Sequence, residues 1–117
     1  MATLQQGRIV WVRVVDPAGR NPKLRPAVIV TRTSEITATE PMVGVAVSST
    51  FKQPLSASQN ELPWQQGGHP VTGLNRRCVA VCEWVIRFTT AEVESVGGTV
   101  PHSILLRIVR FVGEALK

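Results

Sequence analysis

GRIVWVRVVDPAGRNPKLRPAVIV, residues 7–30, contains two runs of apolar, β-branched residues separated by a basic loop. The first run, 7–15, partly alternates and is rich in valine and isoleucine, and the second, 27–33, begins as a continuous apolar run, so each predicts a strand. The intervening residues 16–26 hold three prolines, a glycine and an asparagine, which disfavour both a helix and a central strand. The stretch therefore predicts two strands joined by a loop that is long for a hairpin.

The rest of the chain continues this β pattern and then changes to helical periodicity. Apolar, β-rich runs predict strands at 42–50 and 77–88, and a short edge strand is expected near 56–62. Residues 89–98 predict a short helix, because a Thr-x-x-Glu capping box opens them and glycine supplies a stop. A longer amphipathic helix is expected from Pro101, with its apolar face formed by Ile104, Leu105, Ile108, Val109, Val112 and Leu116.

Strands followed by a closing helix predict a mainly β (α+β) fold with helix packed on the sheet, either a small barrel or a half-open sheet. At 117 residues the chain has the size of one domain, and we expect a single domain over 1–117. A long amphipathic helix in so short a chain needs an apolar surface to cover, which the sheet supplies.

The charge of the chain points to anionic partners. Thirteen Lys and Arg against eight Asp and Glu give a net charge of +5, which suits a polyanion or an acidic protein. No signal peptide is visible at the N-terminus, and no apolar run approaches the ~20 residues that span a bilayer. We therefore expect a cytoplasmic protein without a membrane partner.

The two cysteines, Cys78 and Cys82, fall four residues apart in a predicted strand. This spacing puts them on one face with Ala80 and Trp84, but roughly 13 Å apart, too far for a disulfide. The two histidines stand at no recognisable zinc-ligand spacing. We expect buried free thiols, no metal site and no cofactor.

The sequence contains none of the familiar catalytic sets, neither paired carboxylates, nor a nucleophile elbow, nor a phosphate-binding glycine loop. An active site that contains only arginine and hydroxyl side chains is suited to RNA cleavage, because RNA carries its own nucleophile in the 2′-hydroxyl. Such an enzyme needs only to align that hydroxyl, move protons and stabilise the charge that builds on phosphorus.

Arg25 is the leading candidate for the charge-stabilising group. Pro26 favours an extended backbone at position 25, and the strand that follows anchors the arginine, whose planar fork can grip two phosphate oxygens. The end of the third predicted strand adds three hydroxyls, those of Ser48, Ser49 and Thr50. The alternative is an arginine that merely caps a sheet end.

Several of these segments together resemble the PemK/MazF family of toxin ribonucleases. GRIVWV, then DP, a basic loop and RPAVIV look like the family's opening, and VGVAVSST resembles its third strand. GL at 73–74 followed by CVAVCEWVIRF resembles a late strand, and the C-terminal segment resembles the closing helix. The resemblance implies an SH3-like β-barrel with helices, a homodimer, metal-independent cleavage of single-stranded RNA, and an acidic cognate antitoxin that blocks the RNA groove.

The resemblance also assigns roles to residues. Arg25 matches the family's catalytic arginine, and the catalytic threonine falls on Ser49 or, with a register shift of one, on Thr50. The residues expected to contact RNA are Arg20, Asn21, Lys23, Ser48, His69, Arg76 and Arg77. His69 is also a candidate for proton transfer, because histidine titrates near neutral pH.

Two other functions remain open from the sequence. A non-catalytic domain of the same fold would bind nucleic acid or an acidic peptide in its groove. A relative of the gyrase-poison toxins would grip a protein through the C-terminal helix, although the exposed face with Arg107 and Arg110 lacks the aromatic residues typical of such contacts.

Overall fold

The computed structural model describes residues 3–16 and 18–115, and its main element is an antiparallel sheet of six strands. The sheet order is β4-β5-β3-β2-β1-β6, and a C-terminal helix packs on it. The elements are β1 Arg8–Val14, β2 Lys23–Ile29, β3 Met42–Ser48, β4 Gln59–Glu61, β5 Val79–Phe88, β6 Ser95–Thr99 and α1 His102–Ala115. The mainly β prediction with a closing helix is confirmed, and the sheet forms a curled half-barrel.

β2 begins earlier than the sequence predicts. We expected residues 16–26 to be loop, but Lys23 to Pro26 already belong to the strand. Proline is tolerated because Pro26 pairs with Trp11 of β1, whereas the pairing of β2 with β3 begins only at Ala27. At Pro26, β2 is therefore an edge strand on the side of β3, and the lack of a backbone N–H in proline costs little stability there.

β3 ends earlier than expected, at Ser48 rather than residue 50. Ser49 lies in a bend after the strand, so the three hydroxyl residues span a change of backbone direction. β1, β4 and β5 lie within their predicted ranges.

The predicted helix over 89–98 is wrong. A 3₁₀ turn covers only Thr90–Glu92, and β6 follows at Ser95–Thr99. The capping box does form, with Glu92 accepting hydrogen bonds from the backbone N–H and the hydroxyl of Thr89. Pairing of β6 with β1 then satisfies the backbone that a longer helix would have satisfied internally, so tertiary pairing overrides the local helix signal.

A bulge in β5 changes which side of the sheet its residues face. Val45 pairs with Val85 while its neighbour Ala46 pairs with Val81, so β5 advances four residues where β3 advances one. The change inverts the alternation of side chains along β5. Trp84 consequently does not share a face with Cys78 and Cys82, which contradicts the prediction from simple alternation.

The two faces of the sheet carry separate apolar clusters. Cluster 1 contains the buried residues Ile9, Val28, Val45, Val47, Leu62, Leu74, Cys78, Ala80, Cys82, Val100, Ile108 and Val112. Cluster 2 contains Val10, Val12, Val14, Ala27, Ile29, Met42 and Phe88, with Trp84 and Ile86 packed against it. Helix α1 covers cluster 1 through Ile108 and Val112, as its periodicity predicts; Leu116 lies outside the described residues.

The chain curls so that a loop between β4 and β5 meets β6. Gly98 donates its backbone N–H to Thr72 at 3.1 Å, and Thr99 donates to Val71 at 2.9 Å. A Cβ on Gly98 would lie 2.0 Å from the carbonyl oxygen of Val71, so only glycine permits this approach. The contact links the two edges of the sheet.

None of the helices in the described part of the chain combines the length and the apolar character needed to cross a membrane.

Candidate functional site

Arg25 occupies the exposed end of β2 and is held by its surroundings. Its backbone pairs with Val12 of β1, and its guanidinium carbon lies 5.0 Å from the centroid of the Trp84 ring. The Nε atom is buried and finds no hydrogen-bond partner in the described residues. A strand, a neighbouring aromatic ring and burial of the inner nitrogen therefore restrict this side chain.

The terminal nitrogens of Arg25 differ from Nε. They are not among the buried unpartnered atoms, and no described residue forms a hydrogen bond or an ion pair with them. The fork of Arg25 is thus the part of the guanidinium that a ligand can reach. Its geometry matches two oxygens of one phosphate.

The three hydroxyl groups at the end of β3 differ in their hydrogen bonding. The Ser48 hydroxyl accepts a hydrogen bond from the backbone N–H of Thr50 and donates to its carbonyl oxygen, both at 3.1 Å. The hydroxyls of Ser49 and Thr50 make no hydrogen bond within the described residues, and both residues are exposed. These two hydroxyls are available to a ligand, whereas that of Ser48 stabilises the bend.

A cavity of about 410 Å³ opens beside the ends of β2 and β3. Its apolar wall contains Trp11, Leu24, Pro26, Val47, Leu74 and Cys78. Lys23, Arg25 and Arg76 also line it together with Ser49 and Asn75, whereas no described Asp or Glu does. Three cationic residues and no carboxylate make this a favourable place for an anionic ligand with an apolar part.

Arg25 lines the cavity, but its guanidinium packs over Trp84 on the opposite face of the sheet. Residues 24, 26 and 28 face cluster 1 and the cavity, so alternation places the Arg25 side chain on the face of cluster 2, where Trp84 lies. Trp84 does not line the cavity. A ligand crossing the end of β2 would therefore meet the arginine fork and the basic cavity on the two sides of one strand.

The loop between β1 and β2 is organised by Asp16. Its carboxylate accepts hydrogen bonds from the backbone N–H of Arg20 at 2.8 Å, the backbone N–H of Ala18 and the side-chain amide of Asn21. These bonds, led by that from Arg20, lower the pKa of Asp16, and the positive charge of Arg25 acts in the same direction. Arg20 and Asn21 lie in this ordered loop and do not line the cavity.

His69 and Arg77, two further predicted RNA contacts, have partners within the chain. His69 Nδ1 accepts hydrogen bonds from the backbone N–H groups of Val71 and Thr72. Arg77 donates to Glu61, at 2.9 Å from Nε, and its guanidinium carbon lies 5.3 Å from the Phe51 ring centroid. The Glu61 carboxylate also raises the pKa of Arg77. Neither residue lines the cavity, whereas the adjacent Arg76 does.

Both cysteines are buried free thiols, as predicted. Cys78 lies at the wall of the cavity, and burial, reinforced by the charge of Glu61, raises its pKa to about 11. Burial also raises the pKa of Cys82, which accepts a hydrogen bond from Asn60. Such thiols remain protonated and unreactive at neutral pH.

The described residues contain no group of three His, Cys, Asp or Glu side chains that could hold a metal ion.

Two tryptophans belong to the site although sequence reasoning missed them. Trp11 has the pattern of an ordinary core residue, but it lines the cavity. Trp84 would share a face with Cys78 and Cys82 in a regular strand, but the β5 bulge puts it on the opposite face, where it meets Arg25. No local signal in the sequence marks that bulge.

Comparison with known proteins assigns a family. A family model described as PemK-like, MazF-like toxin of type II toxin-antitoxin system matches residues 5–116. Among curated proteins, none shows a significant match to the chain.

Solved structures agree in fold. A chain of a MazE-MazF crystal structure from Deinococcus radiodurans superposes with a TM-score of 0.70 at 20% identity, covering 99% of this chain and 97% of that one. The Mycobacterium tuberculosis toxin MazF-mt6 gives 0.68 at 18% identity, with 93% and 95% covered. An endoribonuclease in complex with its cognate antitoxin, from a mycobacterial species, gives 0.71 at 15% identity, with 97% and 95% covered. At these identities the likeness establishes the fold.

Proposed function

The chain belongs to the PemK-like, MazF-like family of type II toxin-antitoxin toxins, and from this premise we propose that it is an endoribonuclease that cleaves single-stranded RNA at selected sequences. The observation that carries the proposal is the state of Arg25. Its guanidinium lies over the Trp84 ring, its terminal nitrogens have no partner among the described residues, and exposed hydroxyls follow the neighbouring strand.

In the proposed reaction the 2′-oxygen of the RNA attacks the adjacent phosphorus, forming a 2′-O–P bond as the P–O5′ bond breaks. The 2′-hydroxyl loses its proton and the leaving 5′-oxygen gains one, so the products are a 2′,3′-cyclic phosphate and a 5′-hydroxyl. The nucleophile comes from the substrate, so the reaction needs no metal in principle.

Arg25 stabilises the negative charge that develops on the phosphorane oxygens and assists proton transfer to the leaving group. Its fork can donate to two phosphate oxygens at once. Thr50, or Ser49 at the rim of the cavity, donates a hydroxyl hydrogen bond that orients the phosphate where the RNA strand crosses the end of β2. Ser48 has the lesser role, since its hydroxyl already bonds to the backbone of Thr50.

The basic residues near Arg25 attract the rest of the RNA strand. Lys23 and Arg76 line the cavity beside the proposed phosphate site, and Arg20 and Asn21 are presented by the Asp16-ordered loop. Arg77 contributes positive charge near the RNA although it forms an ion pair with Glu61. His69 contacts the RNA and also accepts a hydrogen bond that stabilises its own loop. Contacts of this kind position a polyanion and make its binding sensitive to salt.

The proposed setting is a toxin-antitoxin pair in the cytoplasm. The solved neighbours include a complex with a cognate antitoxin, and the net charge of +5 favours an acidic partner for this chain. We also propose a homodimer and a single functional domain over 1–117.

The test is incubation of the purified chain with a long single-stranded RNA in the presence of EDTA. We expect discrete fragments, a loss of cleavage in Arg25→Ala, and full cleavage in Arg110→Ala, which removes an exposed arginine of α1. RNA that stays intact with the folded wild-type chain contradicts the proposal. Salt-sensitive binding without scission would identify a nucleic-acid-binding module instead.

A further inference from the structure

Arg25 is held by an aromatic face rather than by a carboxylate. The ion pairs among the described residues join Arg13 to Glu94 and Arg77 to Glu61, and Arg25 takes part in neither. Its guanidinium instead lies 5.0 Å above the Trp84 ring centroid, within the range of a cation–π contact. Trp84 is itself half-buried and packed against cluster 2, so the ring is a fixed support.

This kind of support leaves the arginine free to bind a phosphate. A cation–π contact uses the flat face of the guanidinium, whereas the N–H donors point outward in its plane. A carboxylate partner would occupy those donors and offset the positive charge. The tryptophan therefore restricts the side chain without competing for the donors that grip an anion.

The surroundings explain how the two side chains meet. Ala27 of β2 and Ala46 of β3 are paired and share this face of the sheet, and each carries only a methyl group. The arginine can thus extend across β3 towards β5. On β5, Trp84 shares this face with Ile86 and Phe88, because the bulge between Val81 and Val85 puts it out of phase with Cys78 and Cys82.

Burial of the inner nitrogen indicates that the arrangement is costly and specific. Nε is buried with no partner among the described residues, which a charged group accepts only at a cost in stability. The attraction of the Trp84 ring offsets part of that cost. Arg25 is thus held with Nε covered and its terminal fork open.

We propose that Trp84 is a positioning residue for Arg25: its ring fixes the guanidinium so that the terminal nitrogens face the RNA phosphate. The catalytic consequence of this contact rests on the proposed endoribonuclease function, whereas its structural consequence does not. Trp84 itself touches no reacting atom.

The kinetic test compares Trp84→Leu, Trp84→Phe and the matched control Trp64→Leu, which alters an exposed tryptophan in a loop. In Trp84→Leu we expect kcat to fall between about 3- and 30-fold, the range of one cation–π contact, with KM nearly unchanged. Trp84→Phe keeps an aromatic face and should recover most of the rate. The Trp64 variant should match the wild type.

A second measurement is independent of cleavage. In a ¹H–¹⁵N NMR spectrum the Nε–H of Arg25, assigned by its loss in Arg25→Lys, should exchange slowly and be shifted upfield by the Trp84 ring. The shift should disappear in Trp84→Leu, diminish in Trp84→Phe and persist in Trp64→Leu. This result would support the contact even if the wild-type chain left RNA intact and the nuclease proposal failed.

Three outcomes overturn the inference. One is a wild-type Arg25 Nε–H with no ring-current shift and fast exchange. Another is an unchanged kcat in a folded Trp84→Leu variant, and the third is a raised KM at constant kcat, which would mean that Trp84 contacts RNA directly. If Trp84→Leu does not fold, the NMR shift in Trp84→Phe decides, because an Arg25 Nε–H shift that does not diminish in this variant would contradict its origin in the indole ring.

Discussion

At the scale of single residues, the site depends on what each polar group already bonds to. Among the described residues, the terminal nitrogens of Arg25 and the hydroxyls of Ser49 and Thr50 have no hydrogen-bond partner. By contrast Ser48, His69 and Arg77 make hydrogen bonds that stabilise a bend, a loop and the β4–β5 pair. The sequence identified residue types suited to RNA, but it could not separate the free groups from the engaged ones.

The Cys78 thiol gives a prediction at this scale. Its pKa is raised to about 11 in the folded chain, so the folded state holds the proton more tightly than the unfolded state, in which a thiol titrates near ~8.5. This contribution to the free energy of unfolding is fully present below pH ~8.5 and is lost as the pH rises towards 11.

Urea unfolding measured from pH 8 to pH 11 checks the prediction. The wild type should lose more stability over this interval than Cys78→Ser, which cannot titrate there, while Cys82 contributes a decline common to both proteins. Parallel curves for the two proteins would show that the Cys78 thiol is not held in its protonated form by the fold.

At the scale of elements, local sequence patterns predicted most strands. They failed where pairing with a strand distant in the sequence determines the secondary structure. The strands at residues 8–14, 42–48 and 79–88 follow from their β-branched runs. Residues 95–99 carry two glycines and a nearby capping box, yet they form β6 because β1 offers an unpaired edge. The early start of β2 at Lys23 and the face of the sheet on which Trp84 lies likewise depend on pairing with the neighbouring strands.

Gly98 carries a prediction about how the sheet closes. An added Cβ would meet backbone atoms of Val71 and Thr72 at 2.0 to 2.7 Å, so Gly98→Ala must separate β6 from that loop and break its hydrogen bonds. We expect a loss of at least about 2 kcal/mol in the free energy of unfolding, measured by urea titration.

Gly113→Ala is the matched control, because nothing lies within 4 Å of its Cβ position in α1. Replacing a helical glycine with alanine should stabilise the chain by roughly 0.5–1 kcal/mol. A Gly98→Ala variant as stable as the wild type would mean that the loop at 71–72 does not pack against β6 as described.

At the scale of the whole molecule, the fold brings together, at one end of two adjacent strands, a cavity lined by basic residues, exposed hydroxyls and an arginine fork with no partner in the described part of the chain. Family membership shows that the chain is a toxin of this type, and the basic, carboxylate-free cavity supports the proposal that its substrate is RNA. The mainly β fold could be predicted from the order of the apolar runs. The cavity could not, because its lining comes from β1, β2, β3 and the loop before β5, which only the folded chain brings together.

The most direct test of the account uses an RNA oligonucleotide that spans a bond mapped as cleaved, with a single 2′-deoxy substitution on the 5′ side of that bond. We predict that the unmodified strand is cut to a 2′,3′-cyclic phosphate and a 5′-hydroxyl, while the substituted strand binds and stays intact, because it lacks the nucleophile. Cleavage of the substituted strand at the same bond would contradict the proposed chemistry.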